Sequence, residues 1–299
     1  MGVLKSYQRA ITAAKNANHR RLAFLFGQFI FLVPGNLLCS SATLKQLVPC
    51  PLRFEHWTIF EMHKEPAIMD SLPDQFHALV IGASGTIGAA FVDLLRASPR
   101  CASVRELHRH SLPPLDFADE DSVAEAARQC AAGPRLHLII NAAGVLHTPA
   151  FMPEKRLADL NTVQMQATFT ANVFGPALLL RHFVPLLDGQ RAVMAMLSAK
   201  VGSIGDNRLG GWYSYRASKA ALNMMVKTAA IEIARNQKNS VVVALHPGTV
   251  NSHLSQPFRG NAIGRPAHDA ATDMLHVLDA LTPADSGSFR SYNGVELPW

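Results

Sequence analysis

Cysteine is scarce in this sequence, and the few cysteines that are present do not have the spacing of a metal site. The 299 residues include four cysteines, Cys39, Cys50, Cys101 and Cys130. Structural metal sites place their ligands in closely spaced pairs, which this distribution of cysteines excludes. We therefore expect no metal ion, and free thiols in a reducing compartment. The expected location is the cytoplasm.

Acidic residues are absent from the first part of the chain. Up to Phe54 the sequence has seven Lys and Arg and no Asp or Glu. By subtraction from the totals of 28 and 22, the remainder has 21 basic and 22 acidic residues. The net charge of +6 therefore arises from the N-terminal part, and the rest of the chain is nearly neutral. A neutral domain lacks a basic surface, so no nucleic-acid partner is expected.

The apolar run of the N-terminal part is too short to span a bilayer. It covers residues 22–33 and ends at Pro34, whereas a transmembrane helix needs roughly 20 apolar residues. The run follows the basic residues Lys15, Arg20 and Arg21. This arrangement resembles a signal or transit peptide, so organelle targeting is one interpretation.

A misassigned translation start is the other interpretation of the N-terminal part, with the true start at Met62 or Met69. Under either interpretation we expect residues 1–75 to be a poorly ordered extension that adds nothing to the core of the fold. No stable membrane span is expected. A single domain is expected over residues 76–299. The chain as a whole is 48% apolar, which is sufficient for a hydrophobic core.

A glycine-rich turn follows a short apolar segment. Residues 77–81 have the Val and Ile content of a buried parallel strand, and residues 89–95 have helical periodicity. Glycines between a strand and a helix let the backbone approach a pyrophosphate, which binds at the positive helix N-terminus. The alternative is an ordinary strand-to-helix turn. The expected cofactor contacts in this turn are Gly82, Ser84, Gly85, Thr86, Ile87 and Gly88.

Two further apolar segments also end in small residues. Residues 136–140 precede an Asn-Ala-Ala-Gly turn at 141–144, and residues 241–245 precede His246-Pro247-Gly248. In an open parallel sheet, ligands bind outside the carboxyl ends of the strands. The three turns together therefore predict an α/β fold with a doubly wound parallel sheet of the Rossmann type.

A tyrosine and a lysine four residues apart form the candidate catalytic pair. On a helix, Tyr215 and Lys219 lie on the same face. A nearby ammonium favours the phenolate, so we expect Lys219 to lower the pKa of Tyr215 and to prepare it for proton transfer. The same spacing occurs in ordinary surface pairs, and the other motifs are needed to decide between the two.

Taken in order, these motifs resemble the short-chain dehydrogenase/reductase family, and within it the C-factor-like branch. The residues that carry the resemblance are the turn from Gly82 to Gly88, Asn141, Ala142, Ala143, Gly144, Asn172, Tyr215, Lys219, Pro247 and Gly248. Residues 210–214 and 220–223, on either side of the Tyr215/Lys219 pair, resemble the C-factor-like branch in particular.

The resemblance implies an NADP(H)-dependent oxidoreductase that interconverts a carbonyl and an alcohol by hydride transfer, with Tyr215 as the general acid or base. It also implies that Lys219 holds the nicotinamide ribose and that Asn172 anchors a water molecule. The serine of the family departs from its pattern, because Ala199 stands where the second of two serines is expected. Ser198 is therefore the expected carbonyl ligand, and Ser203 is the alternative.

The residue after the second predicted strand favours NADP(H) over NAD(H). The first charged residue past residues 103–107 is Arg109, and an arginine near this position accommodates the 2′-phosphate of NADP. By resemblance, the remaining expected cofactor contacts are Asp116, Phe117, Asn141, Ala142, Ala143, Gly144, Tyr215, Lys219, Pro247, Gly248, Val250 and Ser252.

The resemblance further implies a small-molecule carbonyl or alcohol substrate and a homodimer or homotetramer. The helical stretches predicted at 160–187 and 212–236 form the interface in the family. An alternative function is an NAD(P)-binding signalling or regulatory protein, C-factor-like, with little turnover. The altered serine position favours this alternative, whereas the intact Tyr215/Lys219 pair opposes it.

Overall fold

A computed structural model of the chain describes residues 29–33, 36–40 and 68–299. The chain divides into two units, Met1–Met62 and His63–Trp299. Most of the N-terminal part predicted to be an extension lies outside the described residues.

The described part of the first unit is an antiparallel hairpin. Strand β1 (Phe29–Val33) pairs with strand β2 (Asn36–Ser40), and Phe29 lies opposite Ser40. The hairpin therefore places residues of the apolar run in a strand.

The second unit contains a parallel sheet of six strands. They are β3 (Phe76–Ile81), β4 (Cys101–Leu107), β5 (Leu138–Asn141), β6 (Ala192–Leu197), β7 (Ser240–His246) and β8 (Phe289–Ser291). Their order across the sheet is β4-β3-β5-β6-β7-β8, and every neighbouring pair is parallel. The chain reverses its direction across the sheet between β3 and β5, the kind of switch point at which such sheets bind ligands.

Helices connect the strands. The α-helices are α1 (Thr86–Ala97), α2 (Glu120–Ala131), α3 (Thr162–Phe169), α4 (Gly175–Phe183), α5 (Tyr213–Asn236), α6 (Gly260–Ile263) and α7 (Ala267–Ala280). A π-helical turn, Thr170–Phe174, joins α3 to α4. Short 3₁₀ turns cover Leu157–Asp159, Val184–Leu186, Lys200–Gly202, Gln256–Phe258 and Pro283–Asp285. Among the described residues, no helix combines the length and apolar character needed to cross a membrane.

Apolar side chains cover both faces of the sheet. On β7, Val241, Val243 and Leu245 belong to the cluster that includes α1 and α7. Val242 and Ala244 belong to the opposite cluster, which includes α2, α4 and α5. Successive residues of a strand point to opposite faces, so helices on both sides bury the strand completely. The predicted doubly wound α/β fold is confirmed.

The hydrophobic core begins before strand β3. Met69 and Leu72 are 0% and 2% exposed and pack in the same cluster as α1 and α7. The backbone N–H groups of Asp70 and Ser71 donate to the carboxylate of Asp279 on α7, at 2.9 and 2.7 Å. Residues from Met69 onward therefore contribute to the core, although the sequence predicted the domain from 76.

Truncation of Leu72 tests this contribution. Leu72→Ala should lower the free energy of unfolding by about 2–5 kcal/mol, because it removes buried methyl groups and leaves a cavity. Leu112→Ala is the matched control, since Leu112 is 97% exposed, and it should change stability by no more than about 0.5 kcal/mol. Urea denaturation measures both. If the two variants behave alike, the segment before β3 lies outside the cooperative fold.

Candidate active site

The turns after β3 and β5 meet at the switch point of the sheet. Ile81 pairs with Leu107 on one side and with Asn141 on the other. Gly82 follows with a φ of +76°, and a Cβ at this position would lie 2.6 Å from the backbone nitrogen of Ala143. Only glycine has both this backbone conformation and this close approach without strain.

The N-terminus of α1 offers an anion site at this point. The N-cap residue, Gly85, has no side chain that could accept from the first N–H groups of the helix, and the first turn carries no acidic residue. Ser84, Gly85 and Thr86 are exposed to solvent, and a Cβ on Gly88 would overlap the carbonyl oxygen of Gly82. The free N–H groups and the positive helix end suit a phosphate. The turn from Gly82 to Gly88 thus has the shape that the sequence predicted for it.

The turn after β5 borders the same space. The Asn141 side-chain oxygen accepts a hydrogen bond from the N–H of Ala143 at 3.1 Å. Its Nδ2 atom is buried and has no partner among the described residues. Gly144 lies against two polar groups, because a Cβ there would be 3.2 Å from Asn172 Oδ1 and 3.4 Å from Lys219 Nζ. An unpartnered donor and a glycine cradle beside an ammonium fit a polar cofactor.

Asn172 joins the β5 turn to helix α5. It lies in the π-helical turn and is buried. Its amide exchanges two 2.8 Å hydrogen bonds with the backbone of Val145. Its Nδ2 also donates to the Ser218 hydroxyl at 3.0 Å, which in turn donates to the Tyr215 carbonyl at 2.8 Å. Asn172 therefore fixes the distance between the turn and the helix that carries Tyr215.

Tyr215 and Lys219 are both buried on one face of α5. Lys219 Nζ lies 5.7 Å from the centre of the Tyr215 ring and donates to the Leu197 carbonyl at 3.0 Å. The two side chains thus lie on one helix face, as predicted, and Lys219 Nζ lies next to Gly144.

Burial controls the ionisation of the pair. It raises the pKa of Tyr215 above its ordinary value of 10 and lowers the pKa of Lys219 to about 8. Both shifts have the same cause, since a low-dielectric environment disfavours the charged form. The direction for Tyr215 is opposite to the lowering expected from the sequence, because the loss of water outweighs the attraction of the ammonium.

The two candidate serines, Ser198 and Ser203, each donate a hydrogen bond within the protein. The Ser198 hydroxyl donates to Asn223 Oδ1 on α5 at 2.6 Å. Ser198 lies two residues after Met196 in extended backbone, so it faces the α5 side of the sheet as Met196 does. The alternative, Ser203, donates to the Trp299 carbonyl at 3.3 Å. Both hydroxyl hydrogens are therefore already engaged within the protein.

The predicted adenosine contacts lie beyond β4. Arg109 is exposed just after the end of this strand, whose last residue, Leu107, accepts a hydrogen bond from the N–H of Gly82. Asp116 is exposed, and its carboxylate accepts a hydrogen bond from the N–H of Ala118. Phe117 packs directly on Gly175 at the start of α4. The end of β4, two residues before Arg109, is thus hydrogen-bonded to the first residue of the glycine turn.

The residues after β7 form a separate tight turn. Gly248 has a φ of +75°, and a Cβ there would lie 2.8 Å from the Tyr292 ring. Pro247 precedes it at the end of the strand, and Val250 is buried. The Ser252 hydroxyl lies 3.3 Å from the Ser255 hydroxyl.

A group of rings near Tyr215 was not predicted from the sequence. Trp212, just before α5, lies 6.3 Å from the Tyr215 ring and 4.8 Å from Phe258. The Phe258 ring is 6.0 Å from His147, which stacks on His253 at 5.6 Å. These rings come from three separate loops, so no local pattern links them. No cluster of metal-binding side chains occurs in the part of the chain that is described.

The lowered pKa of Lys219 predicts a pH effect on stability. Between pH 8 and the ordinary lysine pKa of 10.5, the unfolded chain binds more protons than the folded protein. The free energy of unfolding should therefore rise with pH through this window, and the buried ammonium destabilises the fold below it. Lys219→Met should remove the rise and stabilise the protein at pH 7 by up to about 3 kcal/mol.

Urea unfolding between pH 7 and pH 10 measures this effect. Lys227→Met is the matched control, because Lys227 lies on the same helix and is exposed. It should leave the slope of stability against pH as in the wild type. A wild-type profile that is flat through the window contradicts the burial of a charged Lys219.

Comparison with known proteins agrees with this geometry. The family model described as short chain dehydrogenase matches residues 76–262. C-signal of Myxococcus xanthus is 38% identical over 144 residues, which cover 48% of this chain and 83% of that protein. The 1-hydroxy-2-glutathionyl-2-methyl-3-butene dehydrogenase of a Rhodococcus species is 33% identical over 188 residues, 62% of this chain and 79% of that protein.

A solved structure shows the same fold. The NADPH-bound carbonyl reductase from chicken fatty liver superposes with a TM-score of 0.65 at 27% identity, and the match covers 76% of this chain and all (100%) of the other. The family match covers more than half of the chain and includes the glycine turn and the Tyr215/Lys219 pair. The chain belongs to the short chain dehydrogenase family, and it is an oxidoreductase that acts on CH–OH or C=O groups.

Proposed function

We propose that the protein interconverts a carbonyl and an alcohol by hydride transfer with NADP(H), and that Tyr215 is its general acid and base. The observation that carries the proposal is the convergence of Tyr215, Lys219 and Asn172 around Gly144 at the switch point of the sheet. A family member without this chemistry has no need for a buried ammonium beside a buried phenol.

The residues present fit a nicotinamide dinucleotide. The N-terminus of α1 suits its pyrophosphate. Asn141 offers an unpartnered Nδ2 donor, and Lys219 Nζ lies beside Gly144. A nicotinamide bound here supplies the hydride. The NADPH of the chicken carbonyl reductase agrees with this proposal.

Burial suits Tyr215 to act as a general acid, the role it has when the carbonyl is reduced. A raised pKa keeps the hydroxyl protonated at neutral pH, so it is ready to donate its proton to a carbonyl oxygen. The phenolate left behind lies near the Lys219 ammonium, which stabilises it. Lys219, with a pKa of about 8, can also return a proton near neutral pH.

We also propose that Tyr215 alone holds the carbonyl oxygen. The hydroxyl of Ser198 donates to Asn223, and the next residue, Ala199, has no polar side chain. Ser198 then stabilises the packing of α5 on the sheet and does not bind the substrate.

Substitution at the two positions distinguishes these roles. Tyr215→Phe should lower kcat by about 10²–10⁴-fold and leave NADPH affinity unchanged, because only the transferred proton is lost. Ser198→Ala should keep kcat close to that of the wild type and lower the melting temperature instead. Steady-state rates on a carbonyl panel and NADPH fluorescence titration measure both. Near-normal turnover by Tyr215→Phe contradicts the general-acid role.

Arg109 is proposed to select NADP(H) by pairing with its 2′-phosphate. Arg109→Glu should raise the KM for NADPH by about tenfold or more, because a charge-assisted hydrogen bond is lost. The KM for NADH should stay the same or fall. Arg128→Glu is the control, since its side chain is exposed on α2. An unchanged preference between the two cofactors contradicts this role for Arg109.

A signalling function is the second candidate, and the likeness to C-signal favours it. In that case the protein binds NAD(P) and has little turnover. Screening a panel of carbonyl compounds for NADPH consumption separates the two candidates. Tight cofactor binding without turnover on any member favours the signalling protein.

We further propose that the protein assembles as a homodimer or homotetramer through α3, α4 and α5. Apolar side chains are exposed on α3, on α5 and in the π-helical turn that leads into α4, namely Val163, Met165, Phe174, Met224, Met225 and Ile231. Their burial against a second copy lowers the free energy of the assembly. A monomeric mass in sedimentation equilibrium contradicts this proposal.

A further inference from the structure

Glu154 is a buried carboxylate that the chemistry above does not use. It lies in the segment between β5 and α3 and is 2% exposed. None of the ion pairs formed by the described residues involves it. A buried carboxylate without a cation is costly unless hydrogen bonds or a helix dipole stabilise it.

Both carboxylate oxygens of Glu154 bind the start of helix α5. Oε2 accepts the backbone N–H of Ser214 at 3.1 Å, and Oε1 accepts the Ser214 hydroxyl. Ser214 is the second residue of this helix, whose own cap, Trp212, supplies no side-chain acceptor. The first turn contains no acidic residue. Glu154 therefore supplies from another segment the acceptor and the negative charge that a helix N-terminus needs.

The backbone of Glu154 holds the strained entry into the same helix. Gly210, Gly211 and Trp212 have φ values of +63°, +64° and +53°. For Trp212, a residue with a large side chain, this left-handed conformation costs roughly 1–2 kcal/mol. Its N–H donates to the Glu154 carbonyl at 2.5 Å. Glu154 thus accepts hydrogen bonds from both Trp212 and Ser214, the residues on either side of the first residue of α5.

The segment that carries Glu154 is itself anchored. Gln164, at the start of α3, donates from Nε2 to the Met152 carbonyl at 2.9 Å. Its own backbone N–H is capped by Asn161 at 2.8 Å. Glu154 is therefore a fixed point, and the first turn of α5 takes its position from it.

We propose that Glu154 is a positioning residue for the reaction: by capping α5 through Ser214, it fixes the place of Tyr215, the next residue along the helix. The inference rests on the proposed role of Tyr215 as general acid. Tyr215 is the third residue of α5, where a helix without a cap frays first. A small displacement of the phenol lowers the rate, whereas the cofactor turns after β3 and β5 stay in place.

The test compares Glu154→Ala, Glu154→Gln and Ser214→Ala with the wild type. Glu154→Ala should lower kcat by about 10²-fold, the effect of a displacement of about 1 Å, with NADPH affinity unchanged. Glu154→Gln keeps an acceptor for the Ser214 N–H and should recover most of the rate. Ser214→Ala should lower kcat less, because it removes only the hydroxyl contact with Glu154. Adding Ser214→Ala to Glu154→Ala should cause no further loss, because that contact is already absent in Glu154→Ala.

Asp159→Asn is the matched control. Asp159 lies in the same segment and caps its own 3₁₀ turn, where it accepts the N–H groups of Lys155 and Arg156 at 3.2 and 3.0 Å. It makes no contact with α5 among the hydrogen bonds of the described residues. Asp159→Asn should therefore leave kcat unchanged, which separates the effect on α5 from any loosening of the segment.

The outcomes that overturn the proposal are distinct from those that overturn the function. Wild-type kcat in Glu154→Ala, or parallel losses of kcat and NADPH affinity that Glu154→Gln does not relieve, refutes the positioning role. If Glu154→Ala does not fold, Ser214→Ala decides: a lower kcat at unchanged NADPH affinity supports the proposal, and a normal kcat refutes it.

Tyr215→Phe is measured in parallel, and normal turnover by this variant refutes the proposed function instead. Hydrogen exchange of the amides of residues 213–216 then still tests the cap. Exchange should be faster in Glu154→Ala and unchanged in Asp159→Asn. Equal exchange in both variants refutes the inference without reference to turnover.

Discussion

The site depends on the burial of one polar face of helix α5. Ser214, Ser218, Lys219 and Asn223 are all buried on this helix, and buried polar groups require partners. The partners come from three parts of the fold: Glu154 for Ser214, Asn172 for Ser218, and the end of β6 for the other two, where the Leu197 carbonyl bonds Lys219 and Ser198 bonds Asn223. Satisfying these hydrogen bonds allows few positions for the helix, so Tyr215 is held by the polar contacts of its neighbours.

The glycine contacts at the switch point are the second constraint. Gly82 approaches the backbone of Ala143, and Gly144 approaches Asn172 and Lys219. A side chain at Gly82 would clash with the backbone of Ala143, and one at Gly144 would press on Asn172 and Lys219. The same close packing removes water from the Tyr215/Lys219 pair, which explains why burial and not charge attraction sets the direction of both pKa shifts.

The chain shares the fold of its family but differs from the family's pattern at the serine position. The fold matches that of an NADPH-bound carbonyl reductase, and the family match includes the glycine turn and the Tyr215/Lys219 pair. The serine position differs, because the strand alternation turns Ser198 toward α5 and leaves Ala199 as the following residue. The hydroxyl of Ser198 thereby joins the end of β6 to helix α5.

Local patterns determined what the sequence could predict by itself. Buried strands, the glycine turn and the spacing of Tyr215 and Lys219 each lie within a few residues, where backbone geometry decides the result. The sequence therefore predicted the doubly wound sheet and the shared helix face. Only the tertiary structure decided the partner of Ser198, the core position of Leu72 and the cap that Glu154 places on Ser214, because these contacts join residues far apart in the chain, and the packing of helices on the sheet brings them together.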